Sequence, residues 1–343
     1  MYPQIRIHLS FLAICIFILA TTALFMGVYQ FNDSILSIFN KAFTNQSAIN
    51  ESHYYVLFEL RFPRIIMSIL VGSGLAVAGT SLQGIFKNPL ASPDLIGITS
   101  GSILFAAITI VLGGYLKGYI PEILHYSLLS LMAFIGAMIS TVFVYKISSH
   151  QNKTNVTILL LAGVAISALC GSATGLLTYL STEEELRNLT FWTLGSIASA
   201  NWDKILLLSS VISVSFYFLL GKGKILNAMM LGEKDAEHLG INVEKTKKQI
   251  IVFSALLDGT NVSITRTIGF VGLIVPYILR LLFKSNYVII LPLSAFLGAI
   301  LVIVADTISR TLVAPSEIPI GILTSLMGAP VFISILMNYK KSM

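Results

Sequence analysis

Asp306 and Arg310 stand four residues apart in a long apolar run, the spacing that puts two side chains on one face of a helix. Arg61 and Arg64 flank Pro63 at the start of another such run. An arginine at mid-membrane depth costs about 2.5–3.5 kcal/mol on insertion scales, so charges beside apolar runs belong at a rim or have a partner. A guanidinium offers a planar fork that binds a carboxylate through two parallel bonds. Two readings stay open. In one, Asp306 and Arg310 neutralise each other while Arg61 and Arg64 anchor a helix end at the interface. In the other, Arg61, Arg64 and Arg310 form an outer rim that docks carboxylates of a soluble partner.

The chain offers little else that could make or break bonds. It has no G-x-x-x-x-G-K-[ST] phosphate loop, no H-E-x-x-H, no paired C-x-x-C and no G-x-S-x-G elbow. The five histidines, at 8, 53, 125, 150 and 238, are scattered, so no metal site is expected. Cys15 and Cys170 fall inside apolar runs and read as small buried residues rather than a disulfide. Transport is the function class this leaves. A stand-alone secondary transporter or channel would use ionisable relays inside the membrane, and only Asp258 and the Asp306–Arg310 pair approach one.

Two further groups bear on transport. Ser167, Gly171, Ser172, Thr174 and Thr178 give one apolar run a small, mildly polar face, with Gly171 and Gly175 at small-xxx-small spacing. That spacing suits close helix packing, and the same face suits the wall of a path for a bulky solute. Gly221 to Lys248, GKGKILNAMMLGEKDAEHLGINVEKTKK, is a polar, basic island in an otherwise apolar chain. It is rich in helix formers and split by Gly232 and Gly240, which predicts a pair of short helices that touch something soluble.

These groups need a scaffold, and composition says which kind. Of 343 residues, 55% are hydrophobic and 11% charged, against roughly 25% charged in soluble domains. The mean hydropathy is +0.85. A hydrocarbon core about 30 Å thick needs about 20 apolar residues per helix. The runs predict helices over 9–29, 63–84, 95–112, 124–146, 156–180, 203–220, 249–265, 268–283, 288–311 and 320–337. The eighth is short and interrupted by Gly and Pro. The alternation of barrel strands is absent. The first run is read as a retained helix, not a signal peptide. The triplet Asn45-Gln-Ser47 reads as a chance glycosylation match. The Glu183 to Glu185 run reads as a solvated loop face, or as a mouth that attracts cations. Asn88-Pro89 and Pro93 mark a turn.

With the N-terminus inside, fourteen of the 22 Lys and Arg fall in inside loops and tails, the island among them. Positive charge marks the cytoplasmic side, so both termini and the island are expected in the cytoplasm of a cell-membrane protein. The net charge of +6 is then a topology signal, and no nucleic acid is implied.

Four stretches carry a resemblance: Arg61 to Ser102, Leu226 to Val243, Ile268 to Leu282, and Leu291 to Leu336. They are similar to the permease subunits of ABC importers for iron-siderophores, haem and vitamin B12, the FecCD-type family. The resemblance implies an all-α membrane protein of about ten transmembrane helices with the type II, vitamin B12 permease-like fold. It forms one permease domain over 1–343, with a cytoplasmic coupling segment at 221–248. It implies a second permease subunit, identical or paralogous, and two cytosolic ATPase subunits that hold ATP and Mg, so no cofactor is bound directly and the chain is not itself an enzyme. An extracytoplasmic siderophore-binding protein docks above, its acidic residues meeting Arg61, Arg64 and Arg310. Leu226, Leu231, Gly232, Glu233, Ala236, Leu239 and Gly240 match the coupling helices that enter an ATPase groove. The implied cargo is ferric siderophore, with haem or cobalamin as alternatives; SPDLIGITSG, Ser92 to Gly101, looks closer to the siderophore branch. The chain departs from the family at Tyr277, where His is usual, and at Arg266-Thr267, where a small pair is usual. Arg266 thus places a cation near the outer mouth, to meet an anionic siderophore, a docked partner or an outside carboxylate.

Overall fold

The computed structural model describes residues 3–26, 51–116, 127–151 and 153–341. Asp33, Lys41, Asn45 to Ser47, Lys117, Glu122 and His125 lie outside them. Each expected span has its helix: α1 (Pro3–Phe25), α2 (Phe62–Phe86), α3 (Ile98–Leu116), α4 (Leu128–Ser148), α5 (Val156–Leu180), α7 (Trp202–Leu219), α10 (Val243–Thr265), α11 (Val271–Phe283), α12 (Tyr287–Thr311) and α13 (Ile320–Lys341). Between them lie the short helices α6 (Glu183–Thr193), α8 (Gly223–Leu231) and α9 (Glu233–His238).

Helix α2 is the axis of the molecule. Its sequence from Val71 to Gly79 is built of small residues, and nearly every side chain from Ser68 to Phe86 is buried. A Cβ added to Gly72 would lie 2.2 Å from the Gly298 carbonyl oxygen of α12, and one added to Gly79 would lie 2.0 Å from that of Gly272 in α11. Gly101 of α3 and Gly136 of α4 meet in the same way. Lipid tails are as apolar as leucine, so helices in a bilayer associate through such close backbone packing. The small residues of α2, with Gly101 and Gly136, thus serve close helix packing.

Several boundaries moved. The second span is preceded without a break by a turn, Glu51–Tyr54, and a π-helical stretch, Tyr55–Arg61, so the helix begins well before Pro63. Pro63 stands in the first turn of the α-helical part, directly after the π-helical stretch, where the bulged backbone takes the place of the i→i−4 bond that proline cannot make. Helix α10 starts at Val243, capped by the Asn242 side chain, which accepts from the Lys245 N–H. It extends below the apolar run because its charged first turns belong to the island. Glu183 to Glu185 form the first turn of α6 and not a loop: Thr182 caps it, with Glu185 bonding back in a capping box, and acidic groups there favour the helix dipole. A two-stranded hairpin, Ser149–His150 with Lys153–Thr154, follows α4 and was not expected.

Candidate functional site

Functional side chains collect at the two ends of α2 and α12, and in a cavity against α13. The two helices run antiparallel. The start of α2 and the end of α12 hold the arginine cluster, and their other ends hold the island.

In the cluster, Arg64 donates from Nε to both oxygens of Asp306, at 2.9 and 3.1 Å. Its two terminal nitrogens grip Glu317 at 2.7 and 3.0 Å. Arg310 reaches Asp306 only at 3.9 Å. The i,i+4 pairing read from spacing is thus the weaker contact, and the strong partner comes from another helix. Arg61 and Arg310 are both buried. Arg61 donates to the carbonyl of Leu24 and Arg310 to that of Ala23. The last carbonyls of a helix have no partner within it, and cations favour that end of the helix dipole. These two arginines hold the end of α1. This corrects the expectation of three guanidiniums on an open rim: Arg61 and Arg310 are inside, and Arg64 is occupied by the chain's own carboxylates.

Arg266 sits beyond α10 with φ 64° and ψ −157°, a backbone region occupied almost only by glycine. It donates to the Phe191 carbonyl at 3.0 Å, and burial lowers its pKa from the ordinary arginine value. With Arg64, Glu317, Ser196 and Ile320 it lines a 130 Å³ pocket.

At the opposite end the island is the helix pair α8 and α9, as expected. Leu226, Met229 and Ala236 are fully buried and fix the pair to the bundle. Asn227 bonds Asn286 at 2.9 Å and accepts the Tyr287 N–H at 2.7 Å, tying α8 to the start of α12. Lys247, 2% exposed, ties Glu233 at 2.8 Å and Glu244 at 3.1 Å, and also donates to the Thr154 carbonyl. Glu233 therefore anchors α9, where the sequence had read it as a contact with an outside partner. Gly232 joins the helices in extended backbone, and Gly240 closes α9 with φ 80°. Leu231, at the end of α8, and Leu239, just after α9, point out, 76% and 67% exposed.

The cavity has a volume of about 760 Å³. Its wall is made by the 3₁₀ turn Pro93–Ile96, the start of α3, residues 193–194 and 267–269, and α13. Most of it is apolar, with Asp94, Thr99, Thr193, Thr267 and Ser325 as polar points; the Thr99 hydroxyl donates to Asp94. Asp258 lies behind Asp94 on a small shared cavity, with one carboxylate oxygen unpartnered. None of Ser167, Gly171, Ser172, Thr174 and Thr178 lines the large cavity. They lie on α5, where Gly171 and Gly175 meet nothing within 4 Å and Ser172 is exposed. Asp94 was missed by sequence reasoning. The signal was present: a carboxylate in Ser-Pro-Asp, set between two apolar runs.

Comparison with known proteins gives the family and the fold. The model of the FecCD transport family matches residues 12–338. The chain is 38% identical over 338 residues to the hemin transport system permease protein HmuU of Yersinia pestis, spanning 98% of this chain and 97% of that one. It is 34% identical over 290 residues to the vitamin B12 import system permease protein BtuC of Serratia proteamaculans, spanning 84% of each. Among solved structures, an inward-facing transporter assigned to the metal-chelate type of ABC transporter superposes with a TM-score of 0.82 at 32% identity, over 98% of this chain and 100% of that one.

Proposed function

The chain belongs to the FecCD transport family and is the permease of an ABC importer, and from that premise we propose that it passes a ferric siderophore inward across the cytoplasmic membrane. The observation that carries the coupling half of this reading is the α8–α9 pair. It is locked to the bundle by Leu226, Met229, Ala236 and the Lys247–Glu233 pair, and it presents Leu231 and Leu239 outward. A rigid knob with two exposed leucines is suited to seat in a groove of a cytosolic ATPase. The chain has no phosphate loop, so hydrolysis belongs to two such ATPase subunits, which hold ATP and Mg, and the permease catalyses no reaction itself.

The open face of α5 suits a second permease, identical or paralogous, across a shared path whose wall on this side holds the 760 Å³ cavity. A weakly polar wall of that size fits a bulky chelate held loosely. A binding protein delivers the chelate at the Arg64 end, which places both termini in the cytoplasm. Docking then falls to Arg64, Glu317 and Arg266, with Arg61 and Arg310 supporting them from below. ATP binding moves the coupling helices, and the two permeases rock between two packings of similar stability.

A second reading, haem as cargo, is favoured by the similarity to a hemin permease over nearly the whole chain. Deletion of the gene, followed by growth on single ferric siderophores, haem or cobalamin as the supplied nutrient, separates these. Loss of growth on a siderophore with haem use intact supports the first reading; the reverse supports the second. Uptake by the reconstituted complex that continues without ATP hydrolysis would overturn both.

A further inference from the structure

Asp258 has no part in the coupling, docking or cargo path described above. It stands in α10, 4% exposed, and no N–H or O–H of the described residues reaches one of its carboxylate oxygens. Its side chain faces a cavity of about 20 Å³ that it shares with Asp94. Ser92 and the non-helical backbone between α10 and α11, Ile268 to Phe270, form much of the remaining wall. No Lys, Arg or His lines this space. Among the described residues neither carboxylate has an ion-pair partner.

The two carboxylates are close enough to interact, and they repel each other when both are ionised. A buried charge is costly unless it is paired, so the pair calls for a positive charge, either a proton or a cation. A shared proton needs the two oxygens in contact. This cavity instead has room for one water-sized species, which takes about 10–15 Å³ on the same measure. The Thr99 hydroxyl already donates to Asp94, a bond that favours the ionised form. The donors on the wall are oxygens: two carboxylates, the Ser92 hydroxyl and backbone carbonyls. Among the described residues no third Asp, Glu, His or Cys joins them, which argues against a transition metal. Calcium takes about 6–8 oxygens and magnesium keeps several waters, more than this space admits. A small monovalent cation fits. Transporters hold such ions where a broken helix leaves unwound backbone beside a cavity, and Asp94 also faces the 760 Å³ cavity, which gives a way in.

We propose that the cavity between Asp94 and Asp258 binds one alkali cation, with sodium as the ion to test. Both carboxylates contact the ion, which ties the turn before α3 to the break between α10 and α11. It thereby neutralises and stiffens one wall of the large cavity. Transport is still driven by ATP, and the site does not depend on which cargo the importer carries.

The test uses the full transporter, permease with its ATPase, in nanodiscs, with choline replacing sodium and potassium at constant ionic strength. Two quantities are read: equilibrium binding of radioactive sodium, and the thermal unfolding midpoint of the permease against sodium or potassium concentration. Wild type should bind one sodium per permease, and its midpoint should rise with the logarithm of the ion concentration above the Kd. D94N should weaken binding by about tenfold or more, and D258N should abolish it. In choline alone D258N should unfold no earlier than wild type, because the variant has lost the repulsion between the carboxylates. E184Q, on the exposed face of α6, should bind as wild type does. Wild type that binds no sodium saturably, and whose midpoint is the same in sodium, potassium and choline, overturns the site without recourse to any variant. A midpoint that follows pH between 6 and 9 but ignores the cation assigns the pair to a shared proton and overturns it equally. Saturable binding that survives both D94N and D258N places the ion elsewhere and also overturns it.

Discussion

Arg64 and Asp306 join α2 to α12 through three contacts between 2.9 and 3.1 Å, across 242 positions of sequence. The side chains are 11% and 3% exposed, so the pair is close to fully desolvated. Breaking one side of such a pair strands the other charge, at a cost of about 3–5 kcal/mol where nothing else compensates. Arg64 keeps Glu317, so D306N is expected at the lower end, about 3 kcal/mol. Thermal unfolding of the purified permease in nanodiscs checks this. E317Q, which removes only the exposed partner, should move the midpoint far less. Equal shifts for the two variants would refute the assignment of Asp306 as the structural half.

The island should fail in two separable ways. E233K removes one of the two carboxylate partners of buried Lys247 and sets a second cation beside it; it should loosen α9, seen as faster hydrogen exchange over residues 232–240 and as ATP hydrolysis without uptake. L231A and L239A leave the anchors untouched and should keep exchange as in wild type. Each removes an exposed leucine, worth about 1.5–3 kcal/mol if buried in a partner, so ATPase association should weaken by roughly tenfold or more. Wild-type association for the L231A/L239A double variant would show that the leucines face lipid or water.

The local devices were legible in the sequence, and the long-range pairings were not. Helix α5 was placed at 156–180 because its apolar run is long and unbroken, and in the structure the Asn155 side chain caps its start. The island's two helices were visible because Gly232 and Gly240 punctuate a run of helix formers. By contrast, nothing local couples Arg64 to Asp306 or Arg61 to the end of α1. An i,i+4 spacing suggested Asp306–Arg310, and the fold chose a neighbour with better geometry. The cavity stayed hidden because its wall comes from four separated segments. Pattern also could not tell which glycines pack. Gly72 and Gly171 look alike in sequence, yet one touches backbone and the other meets nothing.

That contrast makes a prediction. A side chain at Gly72 would collide with the Gly298 carbonyl at 2.2 Å, where only backbone could yield. G72V should abolish accumulation of folded permease. Gly171 and Gly175 meet no atom within 4 Å, so G171L/G175L should fold and insert normally. If the α5 face meets a second permease, the same double variant should lose the paired assembly. Fluorescence-detected size exclusion reads both outcomes. A G171L/G175L variant that still pairs and transports would mean that this face looks onto lipid.

Arg266 gives a prediction in which stability and function move apart. Its φ of 64° and ψ of −157° are open to glycine and cost other residues about 1–3 kcal/mol. Part of any gain from R266G is offset by about 0.5–1 kcal/mol, because glycine loses more backbone freedom on folding. Loss of the bond to the Phe191 carbonyl is removed from the comparison by using R266Q as the reference. R266G should then unfold about 1 kcal/mol later than R266Q, a rise of roughly 2 °C in Tm for a chain of this size. Both variants should bind the docking partner more weakly than wild type, since both lack the cation. A strained arginine kept where glycine is more stable and binds worse is the pattern expected of a residue retained for contact. If R266G proved less stable than R266Q, the backbone there would not be strained, and the case for a contact role would rest on the unpaired charge alone.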